Sequence, residues 1–416
     1  MERYSSYKDS GVQWIGKVPS HWRIPSIGKI FEIKAGGDAK PQYYSFEQDE
    51  EHPYPVYTNT KDSNSVYAYT SKPLYDSGTI TVTGRGEIGR AIFRPVPYDA
   101  IIRLLSLRPK VKLVPKFYAF FIDTVIPFTS DSAAIGQLSA VQLKPKYVTF
   151  PPLAEQEKIV SYLERKTSKI DAYVADKEKE IQLLQELKQK TIADAVTKGL
   201  NPNVKMRDSG ISWLGMIPEH WDTKRIASLF TGKVKANTDF EYHHAFKFYY
   251  GTLVPKEETG NIEEYRDTYV KYSVLQKDDI MINGLNLNYD FISQRVAIAP
   301  SDGIITSAYV VARPRKGTNA QYYNYLFKTM DNMKLFHGMG TGIRLTLSFD
   351  ELKKQLVIVP PVDEQQTIVS YIEEKCQKID TLITELQAEI DYLKEYKQRL
   401  IADVVTGQVN VQNEMI

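Results

Sequence analysis

Basic side chains crowd one stretch of this 416-residue chain, where Arg85, Arg90, Arg94, Arg103, Arg108, Lys110, Lys112 and Lys116 face only Glu87 and Asp99. Cations at that density suit phosphate neutralisation, whose released counterions supply much of the affinity of a protein for nucleic acid. Amides and aromatics accompany the charge. Tyr54, Tyr57, Asn59, Lys61 and Asn64 lie upstream, Gln137 lies downstream, and Asn283, Asn286 and Asn288 fall close together in the second half. An amide carries both the donor and the acceptor that base edges demand. The glycine-rich string GMGTGIR at 338–344 sets His337 and Arg344 beside flexible backbone, with a looser counterpart at Gly136-Gln137. The candidate DNA-binding set is therefore Tyr57, Asn59, Lys61, Asn64, Arg85, Arg90, Arg94, Gln137, Asn283, Asn286, Asn288, His337 and Arg344. Each asparagine also suits a turn, and a solvated strand face would carry the same cations.

Other chemistries find less support. A single cysteine, Cys376, can neither close an intramolecular disulfide nor build a thiolate zinc cage, which fits a reducing, cytoplasmic setting. GRGEIG at 84–89 matches a dinucleotide fingerprint, but the strand-like AIFRP that follows makes it a hairpin turn. Glu32-Ile33-Lys34 resembles the tail of a nuclease motif without an upstream metal-binding aspartate, and His243-His244 has no partners at ligand spacing. No phosphate-binding GxxxxGK[ST] loop or [DN]PP[YF] methylation motif occurs, so neither a catalytic residue nor a metal site is assigned. Fifty-three Lys+Arg against 51 Asp+Glu leave a net charge of +2, so any basic surface must be local. No run approaches the ~18 apolar residues of a membrane span, and the start lacks the apolar core of a secretion signal.

The elements that position these groups come in duplicate. Residues 9–22 read DSGVQWIGKVPSHW and 208–221 read DSGISWLGMIPEHW; PPLAEQEKIVSYL from 151 matches PPVDEQQTIVSYI from 360, continuing to IADAVTKG from 192 and IADVVTGQ from 401. Between the blocks, 23–150 and 222–359 are barely alike, and they carry net charges of +4 and +3. Both inserts read as mixed α/β, with strands such as 78–82, 91–93 and 279–282 and one helix each, at 116–125 and 320–333. His21 and His220, each before a tryptophan, anchor a repeated corner. Like frames with unlike inserts suggest one scaffold carrying two readers.

Prolines 151–152 and 360–361 and the acids Glu155, Glu157, Asp363 and Glu364 mark two helix starts, and Gly199 and Gly407 mark their ends. Ile379, Ile383, Leu386, Ile390, Leu393 and Leu400 follow the narrow seam of a coiled coil. Ile170, Val174, Ile181 and Leu184 repeat it in the first copy, with Lys177 and Thr191 interrupting. Each helix leads away from its own insert, so an antiparallel pair within one chain is expected. The frame then approximates a ring cut between residues 416 and 1.

DSGxxWxGxxPxHW, an insert, then PPLAEQ or PPVDEQ opening a long helix, all twice, resembles the specificity subunit of type I restriction-modification systems over essentially the whole chain. The resemblance implies two α/β target-recognition domains separated by two long antiparallel helices in a coiled coil, a pseudo-twofold tandem repeat of α/β (α+β) class. In this sequence 1–22 would be the N-terminal segment of the frame, 23–150 the first recognition domain and 151–199 the first spacer helix. A linker with the second DSG/HW block at 200–221, the second recognition domain at 222–359, the second spacer helix at 360–407 and a tail at 408–416 would complete it. The implied partners are double-stranded DNA with an asymmetric split target, two methyltransferase subunits and restriction subunits, with no membrane. S-adenosylmethionine, ATP and Mg would be bound by those partners and no cofactor by this chain. An autonomous DNA nuclease or a coiled-coil adaptor for proteins are the competing readings.

Overall fold

The computed structural model describes residues 2–60, 65–128, 137–289 and 294–414. The chain divides into two compact units, Met1–Glu178 with Gln387–Ile416, and Lys179–Leu386. Both boundaries fall inside long helices, Leu153–Lys198 and Val362–Val405, so each unit owns part of each helix. Among the described residues, no helix is long and apolar enough to cross a membrane.

In the first unit a four-stranded antiparallel sheet has the spatial order Phe31–Ala35, Leu105–Pro109, Thr79–Val82, Ala91–Arg94. Thr79–Val82 and Ala91–Arg94 pair antiparallel, so the GRGEIG string is indeed a hairpin connection. Proline at the first helical position starts the helix Pro115–Thr124, which buries Phe117, Tyr118, Phe121 and Ile122. Leu400, Ile401, Val404 and Val405, from the end of the second long helix, complete the same core. Fully burying one such side chain stabilises by about 1.5–3 kcal/mol, so the insert and the helix end hold each other. A smaller sheet, Tyr44–Ser45, Ala68–Thr70, Tyr54–Tyr57 and Asp99–Ala100 in order, flanks the main one.

The second unit repeats the plan. Its sheet order is Phe230–Thr231, Val310–Pro314, Ile280–Ile282, Val296–Ile298. Asn319 caps the helix Ala320–Asn332 by accepting the Tyr322 N–H at 3.1 Å. That core is completed by Ala195 and Val196 from the end of the first long helix and by Ile368, Ile372 and Cys376 from the second. The main sheet and its helix thus share one topology in the two inserts despite their dissimilar sequences, whereas in place of the smaller four-stranded sheet the second insert has two two-stranded ones, Phe246–Tyr249 with Thr252–Pro255 and Ser273–Leu275 with Gly303–Ile305.

Within each unit the long helices run antiparallel, as expected from each leading away from its own insert. In the first, Asp171 meets Lys397 at 2.6 Å, Glu178 meets Lys394 at 3.2 Å and Lys177 meets Glu389 at 3.5 Å, one helix rising as the other falls. In the second, Lys188 meets Asp380 at 2.6 Å. Val174, Ile379, Leu386, Ile390 and Leu400 are buried, and Ile170, Ile181, Leu184, Ile383 and Leu393 are half-buried. Lys177 interrupts the apolar seam without breaking it, because its ammonium pairs across to the facing helix.

The repeated corner is a hydrogen-bonded knot. Glu155, in the first turn of its helix, receives the Trp22 indole N–H at 3.0 Å, His21 Nε2 at 2.7 Å and the Tyr4 hydroxyl at 3.2 Å. Glu364 receives Trp221 at 3.0 Å and His220 at 2.8 Å in the other unit. Gly407, at a φ of 77° beyond the second helix, lies so close to Pro19 and Trp22 that a Cβ would sit 2.4 Å from the proline ring. Each tryptophan therefore joins the start of one long helix to the end of the other.

Candidate nucleic-acid interface

In the first insert, loops converge on Gly84, just beyond the strand Thr79–Val82. Asn59 accepts the backbone N–H of Gly84 at 2.7 Å and of Arg85 at 3.3 Å, and its own amide donates to the carbonyl of Ile102 at 2.6 Å. Leu138 donates its N–H to the Gly84 carbonyl at 2.7 Å. A Cβ on Gly84 would meet that leucine's carbonyl at 2.8 Å, which is why glycine stands at the crossing. Exposed Arg85 donates from Nη2 to Gln137 Oε1 at 3.1 Å, bringing two predicted residues together. Arg103, exposed on a left-handed turn at a φ of 63°, joins the same cluster.

Gly284 plays the equivalent part in the second insert. The Leu347 N–H donates to its carbonyl at 2.8 Å, and a Cβ there would stand 2.5 Å from the Leu347 carbonyl. The asparagine loop folds over buried Arg295, which donates to the carbonyls of Asn283 at 2.9 Å, Leu285 at 2.7 Å and Asn286 at 3.3 Å. Asp331 holds the Arg295 backbone N–H at 2.7 Å from the neighbouring helix. A second loop docks on the first where the Leu287 N–H donates to the Leu345 carbonyl at 3.1 Å. Asn286, Asn288, Tyr289, Ile343 and Arg344 are left exposed around the joint. The predicted asparagine and arginine loops of this insert are thus neighbours.

Several predicted residues take other roles. Arg94 is buried at 6% exposure, its guanidinium 3.5 Å from the centre of the Tyr57 ring and its Nε donating to Thr81 at 2.9 Å. Burial pushes its pKa down, although nearby Tyr57 and Tyr98 oppose the shift. Tyr57 is itself in the core of the smaller sheet, so neither belongs to a DNA-facing set. Arg90 is ion-paired to Asp123 at 2.9 Å; burial raises that carboxyl's pKa, while the Ala91 N–H and Arg90 hold it down. Asn59 is a clamp rather than a reader, its amide spent on backbone. Asn283 accepts the Leu285 N–H at 3.2 Å within its own turn. His337 is half-buried with Nδ1 3.2 Å from the Lys334 carbonyl. The 338–344 loop is less free than its glycines suggest, because Thr341 and Thr346 exchange hydrogen bonds of 3.0 and 2.9 Å. Lys61, Asn64 and Gly136 lie outside the described residues.

The basic run is also less available than its count implies. Arg108 pairs with Glu32 at 3.4 Å, Lys110 donates to the Gly28 carbonyl at 2.8 Å and Lys116 pairs with Glu164. Arg103, Tyr289 and Ile343 join the exposed sets, though only Arg103 stood within a stretch whose charge drew notice. Among the described residues, no group of three or more His, Cys, Asp or Glu side chains could hold a metal ion.

The chain is similar to known proteins along the same frame. A type I specificity subunit named in Mycoplasma pneumoniae is 28% identical over 138 residues, 33% of this chain and 41% of that relative, so the match spans under half of that protein. The EcoKI specificity subunit of Escherichia coli is 20% identical over 354 residues, covering 79% of this chain and 73% of the relative. A solved chain from work on assembly and conformational transition of the type I R-M system superposes with a TM-score of 0.68 at 14% identity, over 94% of this chain and 99% of that one, a likeness of fold. The profile of the type I restriction modification DNA specificity domain matches twice, over residues 19–183 and 218–392. Each match takes in one insert, its Gly84 or Gly284 joint and most of the long helix that follows, and on that doubled match the chain belongs to the type I restriction-modification DNA specificity family.

Proposed function

We propose that this chain is the sequence-specificity subunit of a type I restriction-modification enzyme, reading an asymmetric, two-part target in double-stranded DNA. One observation carries the reading: two inserts built on the same main sheet present unlike side chains around the same glycine joint. Arg85, Arg103 and Gln137 surround Gly84, whereas Asn286, Asn288, Tyr289 and Arg344 surround Gly284. A common scaffold with different exposed donors and acceptors is what two different half-sites require. The paired helices then act as a spacer, so that the number of unread base pairs between the half-sites becomes part of the recognition. The near-identical corners at Glu155 and Glu364 offer equivalent seats for two methyltransferase subunits, with restriction subunits recruited in turn. Catalysis, with S-adenosylmethionine, ATP and Mg, belongs to those partners, and the assembly works in the cytoplasm beside the chromosome.

The test is to map methylated adenines by single-molecule sequencing in cells carrying this chain and its partners. A two-part motif with an unread gap is expected. Adding four residues after Leu184, with a matching insertion in the facing helix, lengthens the pair by about 6 Å and should widen the gap by roughly two base pairs with unchanged half-sites. A continuous motif, or altered half-site bases with an unchanged gap, overturns the reading.

A further inference from the structure

Ile343 is 98% exposed, the most exposed large apolar side chain among the described residues. Its loop holds it there. Thr341 and Thr346 exchange backbone hydrogen bonds, the Leu345 N–H donates to the Gly342 carbonyl at 3.1 Å, and Leu347 ties the base of the loop to Gly284. Leu345, two residues on, packs against the core of its unit, so the apolar demand of the loop is met by one side chain and not the other. A mobile loop could lay an isoleucine against the surface; a loop closed on both sides keeps it in water. Nothing in the free chain is gained by that placement.

The surroundings narrow what the tip meets. Arg344 is adjacent and exposed, and the Leu287–Leu345 hydrogen bond brings up the loop bearing exposed Asn286 and Asn288. A protein partner would call for a continuous apolar patch, whereas here one aliphatic tip stands among a cation, amides and the exposed phenol of Tyr289. The floor of the major groove has the matching pattern: donors and acceptors everywhere, and one apolar group, the 5-methyl of thymine. Resting on the DNA-specificity reading above, we infer that Ile343 packs against a thymine methyl in the half-site read by the second insert and so selects thymine at one position. Arg344 then reaches a neighbouring base or phosphate.

The experiment uses the full chain assembled with its methyltransferase subunits. Methylated sites from the wild-type complex give the half-site, and duplexes are made with each of its thymines replaced singly by deoxyuridine, which keeps the pairing and removes the methyl. At one position the replacement should weaken wild-type binding roughly tenfold, within the usual range for one altered base pair. Ile343→Ala should lose about as much on the unmodified duplex and no longer distinguish thymine from deoxyuridine there. Because the side chain is fully exposed, the variant should melt with the wild type. The inference is overturned if no replacement weakens the wild type, if the half-site holds no thymine, or if Ile343→Ala still senses the methyl. Equal loss by Ile343→Ala on random duplex also overturns it, in favour of a wedge between base steps. A wild-type complex that methylates no split site is a different result, since it removes the DNA-specificity reading and this inference with it.

Discussion

Trp22 donates its indole N–H to Glu155, 133 residues away, at 3.0 Å, and the indole is completely buried. Removing the acceptor strands that N–H and also frees His21 and Tyr4. Glu155→Ala should therefore lower stability by about 2–3 kcal/mol in urea unfolding, the loss associated with buried, charge-assisted bonds. Glu157→Ala, an exposed acid on the same helix, should change it by less than about 0.5 kcal/mol. Equal effects would show that the helix start, not the corner, is what matters.

Two arginines of the same basic run should separate cleanly. Arg94→Ala empties the space over Tyr57 and should lower the melting temperature by several degrees, as expected for about 1–2 kcal/mol. Arg85→Ala, on the exposed side, should leave melting unchanged and weaken DNA binding. A gel shift beside a thermal melt for each variant reads both arms; the opposite pattern would put Arg94 on the DNA.

Arg344→Ala should weaken binding to DNA carrying the correct second half-site by roughly 1–3 kcal/mol if the guanidinium reads a base. Competition against random duplex decides the mode. A loss of the same size on every sequence, with a shallower salt dependence, makes it a phosphate contact.

Lys177 and Glu389 stand 3.5 Å apart on facing helices. A zero-length carbodiimide crosslinker should join their peptides within one chain, read by mass spectrometry of monomer bands. A junction recovered only from crosslinked dimers would mean that the helices pair between molecules.

Burial pushes the Tyr75 and Tyr325 phenols up to about 12. Their ordinary value near 10 is regained on unfolding, so the folded state holds the protons more tightly. The resulting stabilisation is complete below pH 10 and fades as the pH rises through about 12. Absorbance at an alkaline shoulder should show a late-titrating fraction that disappears in denaturant; a single wave near pH 10 in the native protein would contradict it.

The frame was legible because it is written twice: identical residue types at two distant places, DSG to HW and PP to EQ, are what a corner needs when its partners come from far along the chain. The helix seam was legible because spacings of three and four act locally. Glu155 was seen only as an acid at a helix start, since local spacing cannot reveal acceptance from residues 133 or 151 positions away. Arg94 was misplaced for a similar reason. A four-residue strand is too short for alternation to show which side is inside, and a cation buried on an aromatic ring carries no mark in the sequence. Ile343 was passed over because exposure, not residue type, makes it informative.

The first unit closes its core with Leu400, Ile401, Val404 and Val405, and Asn410 pairs with Glu2 at the far end of the chain. Translation makes those residues only after the whole of the second insert, so the first insert cannot shut out water until then. Until then its aromatic face stays open to chaperones and proteases. A message truncated even shortly after Leu386 should therefore yield product that is cleared.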